Sequence, residues 1–358
     1  MNALKNVLII NPFGIGDVLF TTPLVRAIKD NYPQARIGFL CNSRSREALI
    51  DNPCLDKIFV YDRDDFEIVR RKSFWAWINK SRKFIDEIRK SGFDAAIDLS
   101  LNSQYGFICW LAGIKRRFGY DYKKRGYFLT KKIKLNGYSN KHVMEYYADL
   151  LKYLNLDMRL PKTELYINAN KLLDANKVLK THGVEDGDSL VGIIPGGGRS
   201  WGKDAYLKHW PAERFAGLAD KIIDNYKAKI IILGDFSEQK MSRQLLANMK
   251  HKAIDLTGQT SIRELTALLS RMSLIICNDG GPLHMAGALG LKTVSIFGPV
   301  DEKVYGPYPP RKESVVVKKQ LDCRPCYKNF RYSGCSNNHR CINDIMIDEV
   351  FEQVRRLI

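Results

Sequence analysis

The sequence has no uninterrupted apolar run of the ~18 residues that a membrane-spanning helix requires. Its longest candidate, residues 105–114, is too short. The amino-terminal stretch MNALKNVLIINPF leads directly into a predicted strand and carries no cleavable signal pattern. The chain also lacks internal repeats and low-complexity tracts. We therefore expect a cytoplasmic globular protein rather than a membrane-spanning, secreted or repeat protein.

The sequence also has few acidic residues relative to basic ones. The 358 residues include 57 Lys and Arg but only 39 Asp and Glu, which gives a formal net charge of +18. The densest segment, residues 115–134, holds nine basic residues opposed only by Asp121. Such an excess favours an anionic partner, and both an anionic membrane surface and a nucleic acid satisfy that description.

A second basic cluster spans residues 70–90. Apolar residues recur through it at roughly helical spacing, at Phe74, Trp77, Ile78, Phe84, Ile85 and Ile88. Basic and aromatic residues on one helix are typical of a membrane-surface helix. The same pattern also fits a solvated helix whose aromatic residues face the core, and the sequence leaves both interpretations open.

The most informative stretch is LIICNDGGPLHMAGALG at residues 274–290. It predicts a buried strand, a glycine turn and a small-residue helix. A helix that begins this way points unpaired N–H groups and its positive dipole end at one spot, which favours an anion such as phosphate. We therefore select Asp279, Gly280, Gly281 and His284 as candidate phosphate-site residues, against the alternative of an ordinary tight connection.

A comparable unit opens the chain, VLIINPFGIGDVLFTTPLVRAIK at residues 7–29. Gly14, Gly16 and Asp17 form its strand-to-helix turn, which lacks the third glycine of the dinucleotide-binding fingerprint. Ligands of open α/β sheets bind at the carboxyl ends of strands, so Asp17 is expected to project into a cleft. A carboxylate at this position also commonly caps the helix.

The order of predicted elements gives an α/β protein with two halves. Strands are predicted near residues 7–10, 36–41, 57–61, 94–99 and 117–120 of the first half, and near 190–194, 229–233, 253–255, 274–277, 293–297 and 314–317 of the second. We predict an amino-terminal domain over residues 1–165, a carboxyl-terminal domain over 166–342, and a final helical segment, 343–358. An extended linker is expected at 156–167.

Eight sequence blocks are distributed along nearly the whole chain: GIGDVLFTTPLVRAIK at 14–29, FDAAIDL at 93–99, KRRFGYD at 115–121, IIPGGG at 193–198, KHWP at 208–211, LGDFSE at 233–238, NDGGPLHMAGALG at 278–290 and IFGP at 296–299. In this order they resemble glycosyltransferase family 9, the bacterial lipopolysaccharide heptosyltransferases. The resemblance implies a GT-B fold, in which two Rossmann-like domains face a central cleft and the final helix packs back on the first domain.

The resemblance also implies the reaction, an inverting, metal-independent transfer of heptose from ADP-heptose to the lipopolysaccharide inner core. The acceptor is an anionic lipid-linked saccharide, so peripheral contact with the cytoplasmic face of the inner membrane is implied. No cofactor and no nucleic-acid partner are expected. The alternatives are another nucleotide sugar or acceptor, or a non-catalytic basic module that binds lipid or nucleic acid.

Site roles follow from the same resemblance. Asp17 matches the family's catalytic base and Lys208 its phosphate-contacting lysine. Glu238 matches a carboxylate that binds the donor's ribose hydroxyls. We expect the donor to contact Gly196, Gly197, Lys208, Glu238, Asp279, Gly280, Gly281 and His284, and the acceptor to contact Gly16, Lys123, Lys124 and Arg125. Family members commonly have Ser or Thr at the position of Gly280, so one hydroxyl contact to phosphate is missing here.

Two motifs raise the question of a metal. Asp62-Arg63-Asp64 resembles the D-x-D metal site of other glycosyltransferases, but we interpret it as a solvated turn. Cys323, Cys326, Cys335 and Cys341 follow the spacing C-x2-C-x8-C-x5-C, which fits a structural zinc site. Free buried thiols that brace the loop before the last helix are the expectation here, with structural zinc as the alternative.

Overall fold

The computed structural model describes residues 4–156, 162–197 and 199–358. The chain divides into two compact units, Met1–Thr163 and Glu164–Ile358. This division lies close to the boundary predicted after residue 165, while the predicted linker at 156–167 falls partly outside the described residues. Within the described ranges, no helix combines the length and apolarity needed to cross a bilayer.

The first unit contains a six-stranded parallel sheet in the order β3-β2-β1-β4-β5-β6. Its central strands are buried on both faces, as expected for apolar runs such as VLII in a parallel sheet. The strands are β1 Asn6–Ile10, β2 Arg36–Cys41, β3 Lys57–Val60, β4 Ala95–Asp98, β5 Arg116–Tyr122 and β6 Lys131–Leu135.

Helices connect these strands. The longest are α1 Ile15–Asn31 and α4 Phe74–Lys90. The others are α2 Ser43–Arg46, α3 Arg63–Lys72, α5 Ser103–Leu111 and α6 Val143–Asp149, which continues into a 3-10 turn at Leu150–Leu154.

The second unit repeats this architecture with a six-stranded parallel sheet in the order β12-β11-β10-β7-β8-β9. Its strands are β7 Leu190–Ile194, β8 Lys229–Ile232, β9 Ile254–Asp255, β10 Leu274–Asn278, β11 Lys292–Phe297 and β12 Ser314–Lys318. A small antiparallel hairpin of β13 Tyr327–Lys328 and β14 Arg331–Tyr332 lies within the cysteine segment.

The helices of the second unit are α7 Ala169–Thr181, α8 Ala212–Tyr226, α9 Gln239–Asn248, α10 Ile262–Leu269, α11 Gly281–Ala288, α12 Glu302–Tyr305, α13 Arg340–Asn343 and α14 Ile347–Arg355. Two 3-10 segments, Arg199–Lys208 and Phe236–Glu238, follow β7 and β8. The first of these is kinked at Gly202.

Both sheets reverse their strand order at one point. In the first unit this point lies between β1 and β4, and in the second it lies between β7 and β10. Loops diverge to opposite sides there and leave a crevice at the carboxyl ends of the strands, which is where ligands of open α/β sheets bind. The two turns selected from sequence, after β1 and after β10, therefore lie at the two switch points.

The basic segment of residues 115–134 contains a strand that was not predicted. Strand β6 is an edge strand whose Lys131, Lys132 and Lys134 sit among exposed positions, and lysine on an edge discourages pairing with another chain. Part of the basic density of residues 115–134 thus serves the fold. Residues 62–64, interpreted as a solvated turn, begin helix α3 instead: Arg63 and Asp64 are exposed as expected, while Asp62 is the N-cap residue and its carboxylate accepts the Ser43 N–H at 3.0 Å.

The final helix differs from its expectation as well. Helix α14 buries Val350, Val354 and the following Leu357 in the apolar core of the second unit, alongside α8. The expectation that it packs on the first domain is therefore corrected. The physical reason is its apolar stripe, which complements the inner face of α8, where Phe351 contacts Tyr226.

Candidate active site

The central feature of the second unit is a buried ion pair. Lys208 Nζ lies 2.5 Å from Asp279 Oδ2, and the two side chains are 8% and 6% exposed. Lys208 ends the 3-10 segment after β7, and Asp279 follows β10, so the switch point brings them together. Buried charges require partners, since an unpaired buried ion costs several kcal/mol. The pair fixes the ammonium beside the start of α11.

An aromatic cluster covers the same ammonium. The Trp201 ring centroid lies 4.8 Å from Lys208 Nζ, within cation–π range. The indole in turn packs on the hairpin of the cysteine segment, with centroid distances of 4.9 Å to Tyr327 and 5.7 Å to Tyr332. The cysteine segment is thereby connected to the site, a relationship that the sequence did not predict.

Three side chains hold the glycine loop after β7. Glu238 Oε1 accepts the Gly197 N–H at 2.5 Å, while Glu238 Oε2 accepts the Asp235 N–H at 2.8 Å. His209 Nε2 lies 2.8 Å from the Gly197 carbonyl oxygen. Asn278 Nδ2 donates to the Pro195 carbonyl at 2.5 Å. Glu238 thus fixes the position of the loop, whatever else it binds.

Side chains are disfavoured at two adjacent loop positions for different reasons. A Cβ on Gly196 would overlap the Glu238 carboxylate. Gly197 has a φ of +108°, which L side chains rarely adopt, and its Cβ position lies 3.6 Å from the Asp279 carbonyl oxygen. Gly196, Gly197, Glu238 and Asp279 therefore form one tightly packed group.

Helix α11 begins directly after the ion pair. Gly280 is its N-cap residue, with extended backbone that any residue can adopt, so the missing Ser or Thr reflects no backbone constraint. Pro282 has no N–H, and the Leu283 N–H is bonded to the Gly280 carbonyl. The helix start can therefore offer an anion the N–H groups of Gly280 and Gly281.

His284 lies in the first turns of α11 and is buried. Burial lowers the pKa of His284 to about 4, with Lys208 acting in the same direction and Asp279 opposing it. Its imidazole is therefore neutral at pH 7. It can offer a phosphate a hydrogen bond but not a positive charge, which leaves Lys208 as the cation at this group of residues.

The first unit places Asp17 at the third position of α1, half-buried. Its Oδ2 accepts the Gly14 N–H at 3.2 Å, so the helix-capping role exists. Its backbone carbonyl accepts hydrogen bonds from Asn11 Nδ2 at 3.0 Å and from Thr21 Oγ1 at 2.8 Å. These contacts fix Asp17 at the carboxyl end of β1, while Gly16 beside it is buried within the helix.

A second carboxyl group lies at the same switch point and was not selected from sequence. Asp98 ends β4 and pairs in register with Ile10 of β1. Burial raises the pKa of Asp98 to about 6, although Oδ1 accepts the Ser100 N–H at 2.9 Å. The FDAAIDL block contained this residue, but its desolvation depends on packing that the sequence does not display.

Some basic residues of the 115–134 segment pair with carboxylates, and others do not form part of the sheet. Arg116 pairs with Asp94 at 2.9 Å and Lys132 with Asp121 at 3.0 Å, so both serve the fold. Lys123, Lys124 and Arg125 instead form an exposed turn after β5. This turn lies at the carboxyl edge of the sheet, on the side where β1 and β4 end.

The cysteine segment uses its sulfur atoms within its own loop. Cys326 Sγ donates to the Cys323 carbonyl at 3.1 Å, and Cys335 Sγ accepts the N–H groups of Asn337 and His339 at 3.4 and 3.2 Å. All four cysteines of the segment are free thiols. Within the described parts of the chain, no group of three His, Cys, Asp or Glu side chains is arranged to hold a metal ion.

Comparison with known proteins assigns these features to a family. The model of glycosyltransferase family 9 (heptosyltransferase) matches residues 81–335. The chain belongs to glycosyltransferase family 9. It is therefore a glycosyltransferase, as the sequence blocks indicated.

Individual relatives and solved structures are similar to this chain over nearly its full length. Lipooligosaccharide heptosyltransferase 2 of Campylobacter jejuni is 24% identical over 354 residues, which cover 97% of each chain. A family 9 glycosyltransferase structure from Veillonella parvula has a TM-score of 0.86 at 23% identity, covering 100% of this chain and 98% of its own. The structure of E. coli ADP-heptose lipopolysaccharide heptosyltransferase II has a TM-score of 0.77 at 20% identity, with coverages of 99% and 98%. The predicted GT-B fold class is confirmed.

Proposed function

We propose that this glycosyltransferase moves a heptose from ADP-heptose to the lipopolysaccharide inner core, with inversion at the anomeric carbon and without a metal. The observation that carries the proposal is the buried Lys208–Asp279 pair beside the first N–H groups of α11. This arrangement suits the diphosphate of a nucleotide sugar. The donor and the acceptor class are those for which the similar heptosyltransferases of Campylobacter jejuni and E. coli are named.

The second unit would stabilise the leaving group. Negative charge grows on the departing diphosphate as the bond between the sugar and the phosphate oxygen breaks. Preorganised donors aimed at this charge typically contribute factors of about 10²–10³ each. The ammonium of Lys208 and the N–H groups of Gly280 and Gly281 are such donors. Asp279 and Trp201 hold the ammonium in place, and neutral His284 adds an N–H.

The loop after β7 would complete the donor site. Gly196 and Gly197 let the ligand approach the backbone closely, because no side chain intervenes. Glu238 is assigned to the ribose hydroxyls. Since its oxygens already accept the N–H groups of Gly197 and Asp235, ribose binding would use the remaining lone pairs of the same carboxylate.

Asp17 of the first unit would act as general base. The acceptor hydroxyl loses its proton to the Asp17 carboxylate as its oxygen bonds to the anomeric carbon and ADP departs. One displacement of this kind inverts the anomeric configuration. Gly16 at the same turn, and the exposed cations Lys123, Lys124 and Arg125, would hold the anionic acceptor. A lipid-linked acceptor places the protein at the cytoplasmic face of the inner membrane in peripheral contact.

The test is a mass-spectrometric transfer assay with truncated inner-core acceptors and a panel of ADP-heptose and other nucleotide sugars. The proposal predicts one added heptose with ADP-heptose and no product with the other donors. Preferential use of another sugar or another acceptor class would contradict it.

A separate variant tests the assignment of the acceptor-binding residues. Reversing Lys123, Lys124 and Arg125 to Glu should raise the KM for the acceptor and leave the Kd of ADP unchanged. The matched control reverses Lys177 and Lys180, which are exposed on α7 of the second unit. A loss of ADP binding in the triple variant, with an unchanged acceptor KM, would remove these cations from the acceptor site.

A further inference from the structure

The first unit carries an unusual exposed segment where α3 meets α4. All seven residues from 70 to 76, RRKSFWA, are exposed. Phe74 is 58% exposed and Trp75 is 74% exposed, and their ring centroids lie 6.0 Å apart. Ile68, one turn earlier on α3, is 52% exposed. We call Phe74 and Trp75 the aromatic tip.

The hydrophobic core of the first unit includes none of these side chains, although Phe74 contacts the core-facing Trp77. The inner face of α4 is supplied by Ile88, which is fully buried, and by Trp77, Phe84 and Ile85, which pack against the core of the unit. The interpretation of residues 70–90 as a core-facing helix is thus right for those four positions. Burying a large apolar side chain is worth about 1.5–3 kcal/mol, so the aromatic tip leaves substantial apolar surface in water.

Cations flank the aromatic tip. Arg70, Arg71 and Lys72 immediately precede Phe74 and are all exposed. Within the described residues, the carboxylate of Glu67 pairs with both arginines, at 2.7 Å from Arg70 and 3.5 Å from Arg71. Three positive charges against one negative charge leave this end of α3 at +2. Tryptophan next to arginine and lysine is the composition that anchors proteins at a lipid–water interface.

We infer that the aromatic tip and its three cations dock on an anionic phospholipid bilayer. Phe74 and Trp75 enter the headgroup region, while Arg71 and Lys72 contact lipid phosphates. Charge decides this occupant, because a second copy of the same patch would oppose cations with cations. The inference adds a membrane anchor that is separate from the transfer chemistry, and it concerns side chains outside the proposed acceptor and donor sites.

The experiment measures binding of the full chain to vesicles that contain no saccharide acceptor. Vesicles of phosphatidylcholine alone are compared with vesicles containing phosphatidylglycerol, by co-sedimentation. Because each basic residue near an anionic surface contributes about 1 kcal/mol, Arg71→Glu with Lys72→Glu should weaken binding to the anionic vesicles at least about tenfold. Phe74→Ser with Trp75→Ser should produce a loss of similar size. Because the Phe74 ring also lies 5.7 Å from the Trp77 ring, circular dichroism of this variant is compared with that of the wild type to show that the fold is retained.

Helix α7 supplies the matched control, Leu173→Ser with Lys177→Glu, where Leu173 is 58% exposed. These changes should leave vesicle binding as in the wild type. Equal binding of the wild type and the Phe74/Trp75 variant to the anionic vesicles would overturn the inference. So would equal affinity for the two vesicle types, or binding of the segment to single-stranded DNA but not to vesicles. Transfer to a water-soluble truncated acceptor should be unchanged in the Phe74/Trp75 variant, so failure of the anchor and failure of the transfer proposal give different results.

Discussion

The ammonium of Lys208 lies 2.5 Å from a carboxylate oxygen of Asp279, and both side chains are more than nine-tenths buried. Their formal charges cancel, so the buried ammonium of Lys208 has a partner even when no substrate is bound. A diphosphate that arrives at the start of α11 would share the ammonium with Asp279. The proposed donor site therefore predicts that donor binding changes the stability of the second unit.

Removing Lys208 and removing Asp279 should have opposite effects on ADP binding. Lys208→Met and Asp279→Asn should each lower the free energy of unfolding, since breaking a buried pair costs about 3–5 kcal/mol. ADP should restore the stability lost in the Asp279→Asn variant, because its diphosphate pairs with the released ammonium of Lys208. The Tm increase on adding ADP should therefore be larger than in the wild type. ADP should not restore the stability lost in Lys208→Met. Thermal unfolding with and without ADP measures both effects.

The control for this comparison is Lys203→Met, an exposed lysine of the same 3-10 segment. Its Tm and its response to ADP should match those of the wild type. An equal ADP-induced Tm increase in Lys208→Met and the wild type would show that the diphosphate does not contact Lys208.

Gly196 gives a steric test of the donor loop. Gly196→Ala places a Cβ against the Glu238 carboxylate, and overpacking of this kind typically costs about 1–3 kcal/mol. The Kd of ADP should rise by about tenfold or more, because the loop must move away from Glu238 and α11. Titration calorimetry measures the change. Gly287→Ala within α11 is the control, since an added Cβ there has no neighbour within 4 Å. Tight ADP binding by Gly196→Ala would show that the loop is not part of the donor site.

Asp98 makes the first unit sensitive to pH. Its folded-state pKa of about 6 exceeds the ordinary 3.8, so the folded state favours the protonated form. The contribution of Asp98 protonation to the free energy of unfolding is fully present below about pH 3.8 and is lost as the pH rises through about 6. Asp98→Asn mimics the protonated form and keeps an acceptor for the Ser100 N–H. It should therefore raise the free energy of unfolding at pH 7.5 by up to about 3 kcal/mol.

Chemical denaturation across the pH range checks the sign. The advantage of Asp98→Asn over the wild type should grow between about pH 4 and pH 7 and then level off. A constant difference across this range, or a destabilised variant at pH 7.5, would show that Asp98 is ionised without penalty in the folded protein.

Asp17→Asn separates the helix cap from the catalytic role. The asparagine oxygen can still accept the Gly14 N–H, so the stability of α1 should change little. Turnover should fall by ~10²-fold or more, because a positioned general base typically contributes a factor of this size. Steady-state transfer assays measure it, with Asp30→Asn as control at the far end of the same helix, where the side chain is 62% exposed. Near-normal turnover of Asp17→Asn would exclude it as the base.

Local patterns predicted most of the fold. Apolar runs such as VLII and LIICN mark strands buried on both faces, and glycine turns after them mark the switch points. Strand β6 was missed because lysines on an edge strand form the same sequence pattern as lysines of a basic binding segment. The placement of helix α14 on the first domain came from the family resemblance, since an apolar stripe shows that a helix packs but not which surface receives it.

The site shows the same division. The turn sequences pointed to Gly280 and Gly281, and the family resemblance pointed to Lys208 and Glu238. Neither could show that Glu238 holds the Gly197 N–H, because 41 residues separate the two. The Trp201 contact with Lys208 and the burial of Asp98 likewise arise only when distant segments pack. Tertiary contacts of this kind have no periodic signal in the sequence.

The central claim is that a lysine and a helix start hold the diphosphate of ADP-heptose without a metal. Heptose transfer to a truncated inner-core acceptor, followed by mass spectrometry in excess EDTA, tests it most directly. Transfer should continue at the rate seen without EDTA, should be retained by Lys203→Met, and should fall by about 10² or more in Lys208→Met. Transfer that stops in EDTA and returns with added magnesium or manganese would contradict the claim.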